Sequence, residues 1–536
     1  MNHRKLISAA IVVLAFHVDC ATKQESADDG SAAPGGSGGA PNGAGGTGGK
    51  SSSGVSTGGQ GGGTAGSPGA GTGGTIALPA DTGQSVLERN KHGTRDGHFV
   101  QPKLTHAAVA SMTLDAGFSG TYKGAAWAVP LYMQDGPGHK GAFFVATIGN
   151  DVAALDETTG ATIWTKNLGP PSMSAPCGGP YNVVGIFGTP VIDAGSRTLF
   201  VTAASGGLNY LVHAMSVDDG SERPGWPLDT SKGANGFPGG KHNQRSALSL
   251  VNGVLYIPFG GHYGDCNPYQ GRVLAVDIKD PTRTGLFTTK GDRAAIWAAG
   301  GMASDGNGVF TVTGNGSNAG HQPEDPGGGD SESVFRLTAM AAIDRSPANY
   351  YYPARWKAMD QADNDFGSNS PVYVQVPGAS PPSYVVATSK DGHMAFLDSQ
   401  HLGGMEGHVV DLVVAQSGMS IHTAAASYTT TKGVYGRVVM AVRVDVTAGK
   451  IAPVVAWCAP NASLTSPIAT TTDGHSDPIV WYVRGATLIG VDGDTGKPVA
   501  SATGDCGGVM RWTSPIAAQG RIIAGGSGVL CSWSAK

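Results

Sequence analysis

The chain is poor in charge. Only 14% of its 536 residues are Asp, Glu, Lys or Arg, too few for the solvated faces of many surface helices. The net charge of −5 supplies no basic stripe of the kind a nucleic-acid partner requires. Cysteine is scarce as well. None of the six sits in a CxxC pair or beside histidines at zinc spacing, so no structural zinc site is expected, and no two are adjacent in sequence. The apolar run at residues 6–16 is too short to span a bilayer.

Glycine is abundant, 85 residues in all, which suits a chain of short strands and tight turns. At the N-terminus, Arg4 and Lys5 precede the apolar run and Cys20 follows it, the layout of a secretory signal over residues 1–20. Cys20 stands where a bacterial lipoprotein carries its lipid. Residues 30–75 are almost entirely Gly, Ser, Ala, Thr and Pro, a composition that buries too little apolar surface to offset the entropy of ordering. Residues 21–85 are therefore predicted to be a disordered linker, and residues 86–536 the folded domain. These signals place the protein in the bacterial cell envelope, as an outer-membrane lipoprotein or an extracellular or periplasmic protein that meets the membrane only through a lipid anchor. Exported cysteines default to disulfides. Cys177 and Cys266, both in Gly/Pro-rich loops, form one candidate pair, and two of Cys458, Cys506 and Cys531 form another, with the choice left open.

The stretch that organises the domain is Ala154-Leu155-Asp156-Glu157-Thr158-Thr159-Gly160-Ala161-Thr162-Ile163-Trp164. It reads as a strand, a turn with glycine where φ is positive, and a return strand. A degenerate copy recurs at Val491-Asp492-Gly493-Asp494-Thr495-Gly496-Lys497. Eight apolar openings recur along the chain, near residues 127–131, 188–191, 245–248, 297–301, 370–372, 422–425, 465–468 and 513–516. Several pair a small residue with proline, as an innermost strand crowded by its neighbours would need. The last unit ends one strand short, and residues 112–122 are the strand that would complete it, leaving no open edge. The reading is all-β: an eight-bladed propeller, or alternatively a seven-bladed one because of the polar insertion between residues 301 and 365.

The pattern Ala-x-Asp-x-x-Thr-Gly-x-x-x-Trp resembles the repeat of the pyrroloquinoline-quinone-type β-propellers, in which the Asp-Thr-Gly turn and the Trp dock neighbouring blades. The resemblance implies a quinoprotein-like fold over residues 110–533 and, in the dehydrogenases of that family, pyrroloquinoline quinone held with calcium against two adjacent cysteines. This sequence lacks the cysteine pair and offers no match to the calcium ligands, so no metal site is assigned.

Propellers bind ligands at one mouth of the channel, and four polar groups precede or follow inner strands here: residues 241–245, 261–265, 363–369 and 511–512. From these, His242, Gln244, Arg245, Trp297 and Arg511 are the candidate cofactor- or ligand-binding residues. Arg245 and Arg511 supply forked donors, Gln244 an amide, and His242 a base near neutral pH. Of the tryptophans, Trp297 and Trp512 border inner strands and could act as stacking platforms. Asp363 to Asn369 reads as a polar turn, and residues 324–330 as a solvated acidic loop. The preferred function is an exported, surface-tethered, monomeric binding module for a small molecule, glycan or envelope protein. The alternative is a quinone-dependent dehydrogenase acting on an alcohol or sugar.

Overall fold

The computed structural model describes residues 83–173, 181–263, 265, 268–316, 327–414, 423–430, 433–437, 440–458 and 465–536. The signal, Cys20, nearly all of the linker, Cys177 and Cys266 lie outside them.

The strands of the described residues build eight sheets of four or five strands each, a β-propeller. In chain order the sheets span residues 131–167, 191–229, 242–288, 303–352 with Gly404–Met405, 372–413, 427–458, 468–503 with His98–Val100, and 516–534 with Thr113–Leu114 and Gly120–Ala125. Seven of the eight openings seen in the sequence lead directly into a strand at the start of their sheet, and residues 245–248 lie between His242–Asn243 and Ser249–Val251 of the third. Second strands such as Thr198–Ser205 and Ser383–Thr388 are buried along nearly their whole length because both faces are covered by neighbouring sheets. In Thr198–Ser205, Leu199, Val201 and Ala203 pack with Phe144 and Ala154 of the first sheet. The alternate residues Phe200 and Ala204 pack with Leu255 and Ile257 of the third.

The Asp-Thr-Gly hairpin folds as read. One oxygen of Asp156 accepts bonds from the backbone N–H of Thr158 (3.0 Å) and Thr159 (2.8 Å) and from the Thr159 hydroxyl (2.8 Å). Gly160 takes φ of +75°, and a Cβ there would lie 2.4 Å from the Gly120 nitrogen, so only glycine fits. Trp164, on the return strand, donates its indole N–H to Val217 O of the next sheet at 2.9 Å. Between the sixth and seventh sheets, Trp457 donates to Gly493 O at 2.9 Å, on the turn where Asp492 caps Thr495. Tryptophan and turn therefore dock one sheet on the next.

Thr113–Leu114 and Gly120–Ala125 both pair antiparallel with the last strand, Ser527–Ser534, so the early segment completes the final sheet. A disulfide joins Cys506 to Cys531. Cys458, at the end of Lys450–Cys458, is not part of it.

Residues 83–101 do more than lead into the domain. They touch every sheet. Val86 pairs with Tyr132 of the first, Leu87 O accepts from Ile192 N of the second at 2.8 Å, and Gly93 O from Ser304 N of the fourth at 2.7 Å. Thr94 O, Asp96 O and Gly97 O accept from Tyr373 N, Ser427 N and Ala469 N of the fifth, sixth and seventh. Arg95 donates to Leu248 O, next to the third sheet's first strand, at 2.8 Å and to Ser249 Oγ on it at 2.6 Å. Gln101 Oε1 accepts from Gly520 N of the eighth at 2.8 Å. The inner strands are thus tied together by one N-terminal strap.

Candidate binding mouth

The loops that precede the inner strands carry the candidate residues, and the structure gathers several of them into an alternation of cations and rings. The guanidinium carbon of Arg245 lies 4.6 Å from the Trp297 ring centre and 5.8 Å from that of Trp512. Arg511 covers Trp512 at 5.6 Å, and the Lys390 ammonium faces Trp297 at 5.4 Å. Trp512 in turn meets Trp127 at 5.8 Å, and Trp127 packs edge-on against Tyr181 at 6.0 Å. Cations over indole faces gain energy when desolvated.

The three cations differ in their counter-ions. Lys390 is paired with Asp365 at 2.7 Å and with Asp363 at 3.3 Å. Arg245 donates through Nε to Trp297 O at 3.4 Å, and among the described residues neither it nor Arg511 has a carboxylate within ion-pair distance. Burial holds the Arg245 guanidinium below its usual range, offset in part by Tyr181, Tyr269, Asp265 and Asp365. Asp265 is occupied by the Tyr269 hydroxyl at 2.7 Å.

Two candidates turn away from this mouth. His242 is buried against Phe237 and Phe259 with Nδ1 3.1 Å from Pro238 O. Burial, with Arg272 nearby, pushes its imidazole down to about 4. The expectation of a base near neutral pH is overturned by desolvation, which disfavours the charged ring. Gln244 is buried too, its amide donating to Ser246 O at 2.6 Å, so it braces its own loop. His262 is buried beside Arg245, and burial, with that guanidinium nearby, pushes it down to about 4 as well.

Below the mouth lies a carboxylate cluster only part of which the sequence singled out. Asp365 accepts Asn315 N–H at 2.7 Å. Glu332 accepts Phe366 N–H at 2.5 Å and lies within side-chain hydrogen-bonding reach of Asp360. Asp360 accepts from Gly316 N and the Ser331 hydroxyl, both at 3.0 Å. Burial, then the neighbouring Asp365, raises the Glu332 carboxyl well above the usual range. Burial likewise raises Asp360 to about 6. Glu332 stands at φ +47°, outside the region side chains prefer, a backbone state that no spacing rule reveals. Asp330 is likewise not solvated: it is fully buried and held by Arg345 through two bonds of 2.6 and 2.7 Å, which corrects that end of the acidic loop.

Three solved structures share this fold over most of their length. They are a quinohemoprotein alcohol dehydrogenase from Pseudomonas putida HK5 (13% identity, 85% of this chain and 80% of that one, TM-score 0.60), one from Comamonas testosteroni (16%, 84% and 80%, 0.56), and a europium-containing methanol dehydrogenase (16%, 84% and 91%, 0.58). The chain shares the β-propeller fold of these dehydrogenases. No protein-family model and no curated protein matches it. At these identities the likeness extends to the fold alone.

The quinone and calcium implied by the repeat fit the propeller's mouth poorly. The Trp297 ring carries the chain's own Arg245 and Lys390. Asp365 is engaged by an ammonium and a backbone N–H. Among the described residues no three His, Cys, Asp or Glu side chains come together to hold a metal ion.

Proposed function

We propose that this propeller is an exported, surface-tethered binding module whose mouth takes a small acid with a ring, such as an aromatic carboxylate or a sugar acid. The observation that carries the reading is Arg245: a largely desolvated guanidinium held beside two indoles, without a carboxylate partner among the described residues. A buried charge with no partner is costly, and an anionic ligand would supply the missing counter-ion through bidentate bonds. Arg511, on the same Trp512 ring, adds a second positive charge, and the rings offer stacking surface. The test is calorimetry of the full chain with benzoate, isophthalate and glucuronate. Binding of at least one acid, weakened at least about tenfold in Arg245→Gln, is expected. An Arg245→Gln chain that binds as the native one does, or a native chain that binds none of the three, would overturn the reading.

A second reading, a quinone-dependent dehydrogenase, is favoured by the buried Glu332, whose raised carboxyl beside Asp360 suits proton transfer. Titration with pyrroloquinoline quinone, with and without calcium, coupled to dye reduction on an alcohol and sugar panel, separates the two. Dye reduction lost in Glu332→Gln would favour the enzyme.

A further inference from the structure

Arg89 sits on the N-terminal strap, 423 residues from Trp512 in sequence, and donates through Nη2 to the Trp512 carbonyl at 2.5 Å and to the Ser466 hydroxyl at 3.1 Å. The side chain is buried, and among the described residues no carboxylate pairs with it. Its Nε is buried without a partner. Trp512 has φ of +67°, a left-handed conformation that is an outlier for a bulky residue and persists only where its surroundings hold it. The surroundings in reach of its carbonyl are the guanidinium of Arg89. Ser466 is itself buried: its hydroxyl also accepts Ala424 N–H at 2.9 Å, and its N–H donates to Thr513 O at 2.7 Å.

Holding this peptide has a consequence for the ring above it. Trp512 is the indole shared by Arg245, Arg511 and Trp127. If its backbone relaxed to negative φ, the ring would swing out of that alternation and Arg245 would lose one of its two aromatic neighbours. A neutral side chain at 89 could not make a charge-assisted bond to the carbonyl, which is the stronger kind.

We propose that Arg89 is a positioning residue for the mouth: by holding the Trp512 carbonyl from below, it fixes the ring beside Arg245 and makes the N-terminal strap part of the binding site. The effect on affinity rests on the anion-binding reading given above; the effect on the ring does not. The test compares the native full chain with Arg89→Met. The Trp127–Trp512 pair, 5.8 Å apart and inclined by 48°, should give an exciton couplet in circular dichroism, with Trp512→Phe as the variant that abolishes it. Arg89→Met is expected to keep the far-ultraviolet β signal, lose the couplet, and bind isophthalate about tenfold more weakly, with methylguanidinium added to the buffer restoring both. An unchanged couplet in folded Arg89→Met would overturn the proposal. If the native chain binds none of benzoate, isophthalate and glucuronate, the anion reading falls and the couplet alone decides the role of Arg89. If Arg89→Met does not fold, Arg89→Gln is read in the same way. Failure of both to fold would overturn the proposal too, because Arg89 would then serve the whole ring and not Trp512.

Discussion

Trp457 lies against Gly496 so closely that a Cβ on the glycine would fall 2.7 Å from the indole. The glycine also stands at φ +73°. Trp164 meets Gly220 of the following sheet in the same manner, with 2.8 Å to the ring. Sheet-to-sheet docking therefore depends on a missing side chain as much as on the indole N–H bond. Gly496→Ala combines overpacking with a disfavoured φ and is expected to cost about 2–4 kcal/mol, read as a lower urea midpoint. A change under about 0.5 kcal/mol would mean that the indole is free to move aside.

Closure of the ring by the early strands gives a second expectation. Gly120–Ala125 and Thr113–Leu114 cover one edge of Ser527–Ser534, so deleting residues 112–125 exposes that strand and leaves Trp533 and Leu530, both buried, without part of their cover. Soluble folding should be lost. A soluble, monomeric deletion with a native β spectrum would show that the final sheet is complete without them.

The Cys506–Cys531 bridge closes a loop of 25 residues. Replacing both cysteines with alanine should lower stability by about 3 kcal/mol on loop entropy, measured by urea denaturation beside the oxidised native chain. An unchanged midpoint would mean that the packing of these two buried residues, and not the bond, holds the loop.

Stability should depend on pH through groups of opposite sign. Burial raises Asp360 from the ordinary 3.8 to about 6. Between about pH 4 and 6 the folded chain therefore keeps a proton that the unfolded chain has lost, and this group makes stability fall as pH rises. His242 and His262 are pushed from 6.5 down to about 4. Over nearly the same window the unfolded chain holds their protons and the folded chain does not, so they make stability rise with pH. Asp360→Asn should therefore steepen the rise of the urea midpoint from pH 4 to 6, and His242→Gln should flatten it. An Asp360→Asn slope equal to that of the native chain would show that Asp360 ionises normally.

Export and lipid attachment are tested on the whole cell. Labelled palmitate should enter the native chain and not Cys20→Ala, because Cys20 stands shortly after the apolar signal run. A native chain that is secreted unlabelled would leave the cysteine without that role.

The features legible in the sequence were those set by neighbours in the chain. Asp156, Thr159 and Gly160 act within one turn, and the openings precede their inner strands by only a few residues, so local pattern located them. Arg245, Trp297, Trp512 and Arg511 were named because each stands before an inner strand, and the radial arrangement brought them together. What escaped depends on contacts hundreds of residues apart. The strap has no repeat or strand pattern to mark it, although Glu88, Arg89, Lys91, Arg95 and Asp96 concentrate charge in a chain that has little of it. Such a cluster signals partners elsewhere. His242 was misjudged for a similar reason: its neighbours in sequence are polar, whereas Phe237 and Phe259, which desolvate it, arrive from a different loop and strand. Glu332 and Lys390 carried no local signal beyond their charge.

The strap also bears on how the chain acquires its shape. Its partners run from Tyr132 to Gly520, with Gln84 accepting from Gln519 N–H across 435 residues. A ribosome delivers this segment early, yet its last acceptors and donors emerge near the end of synthesis. The segment must wait, its buried-to-be arginines hydrated, until the final sheet exists. Contacts of such long sequence separation make folding slow. They also mean that the axis is secured in one late step, so that a nascent or truncated propeller remains an open arc with both ends exposed to other chains.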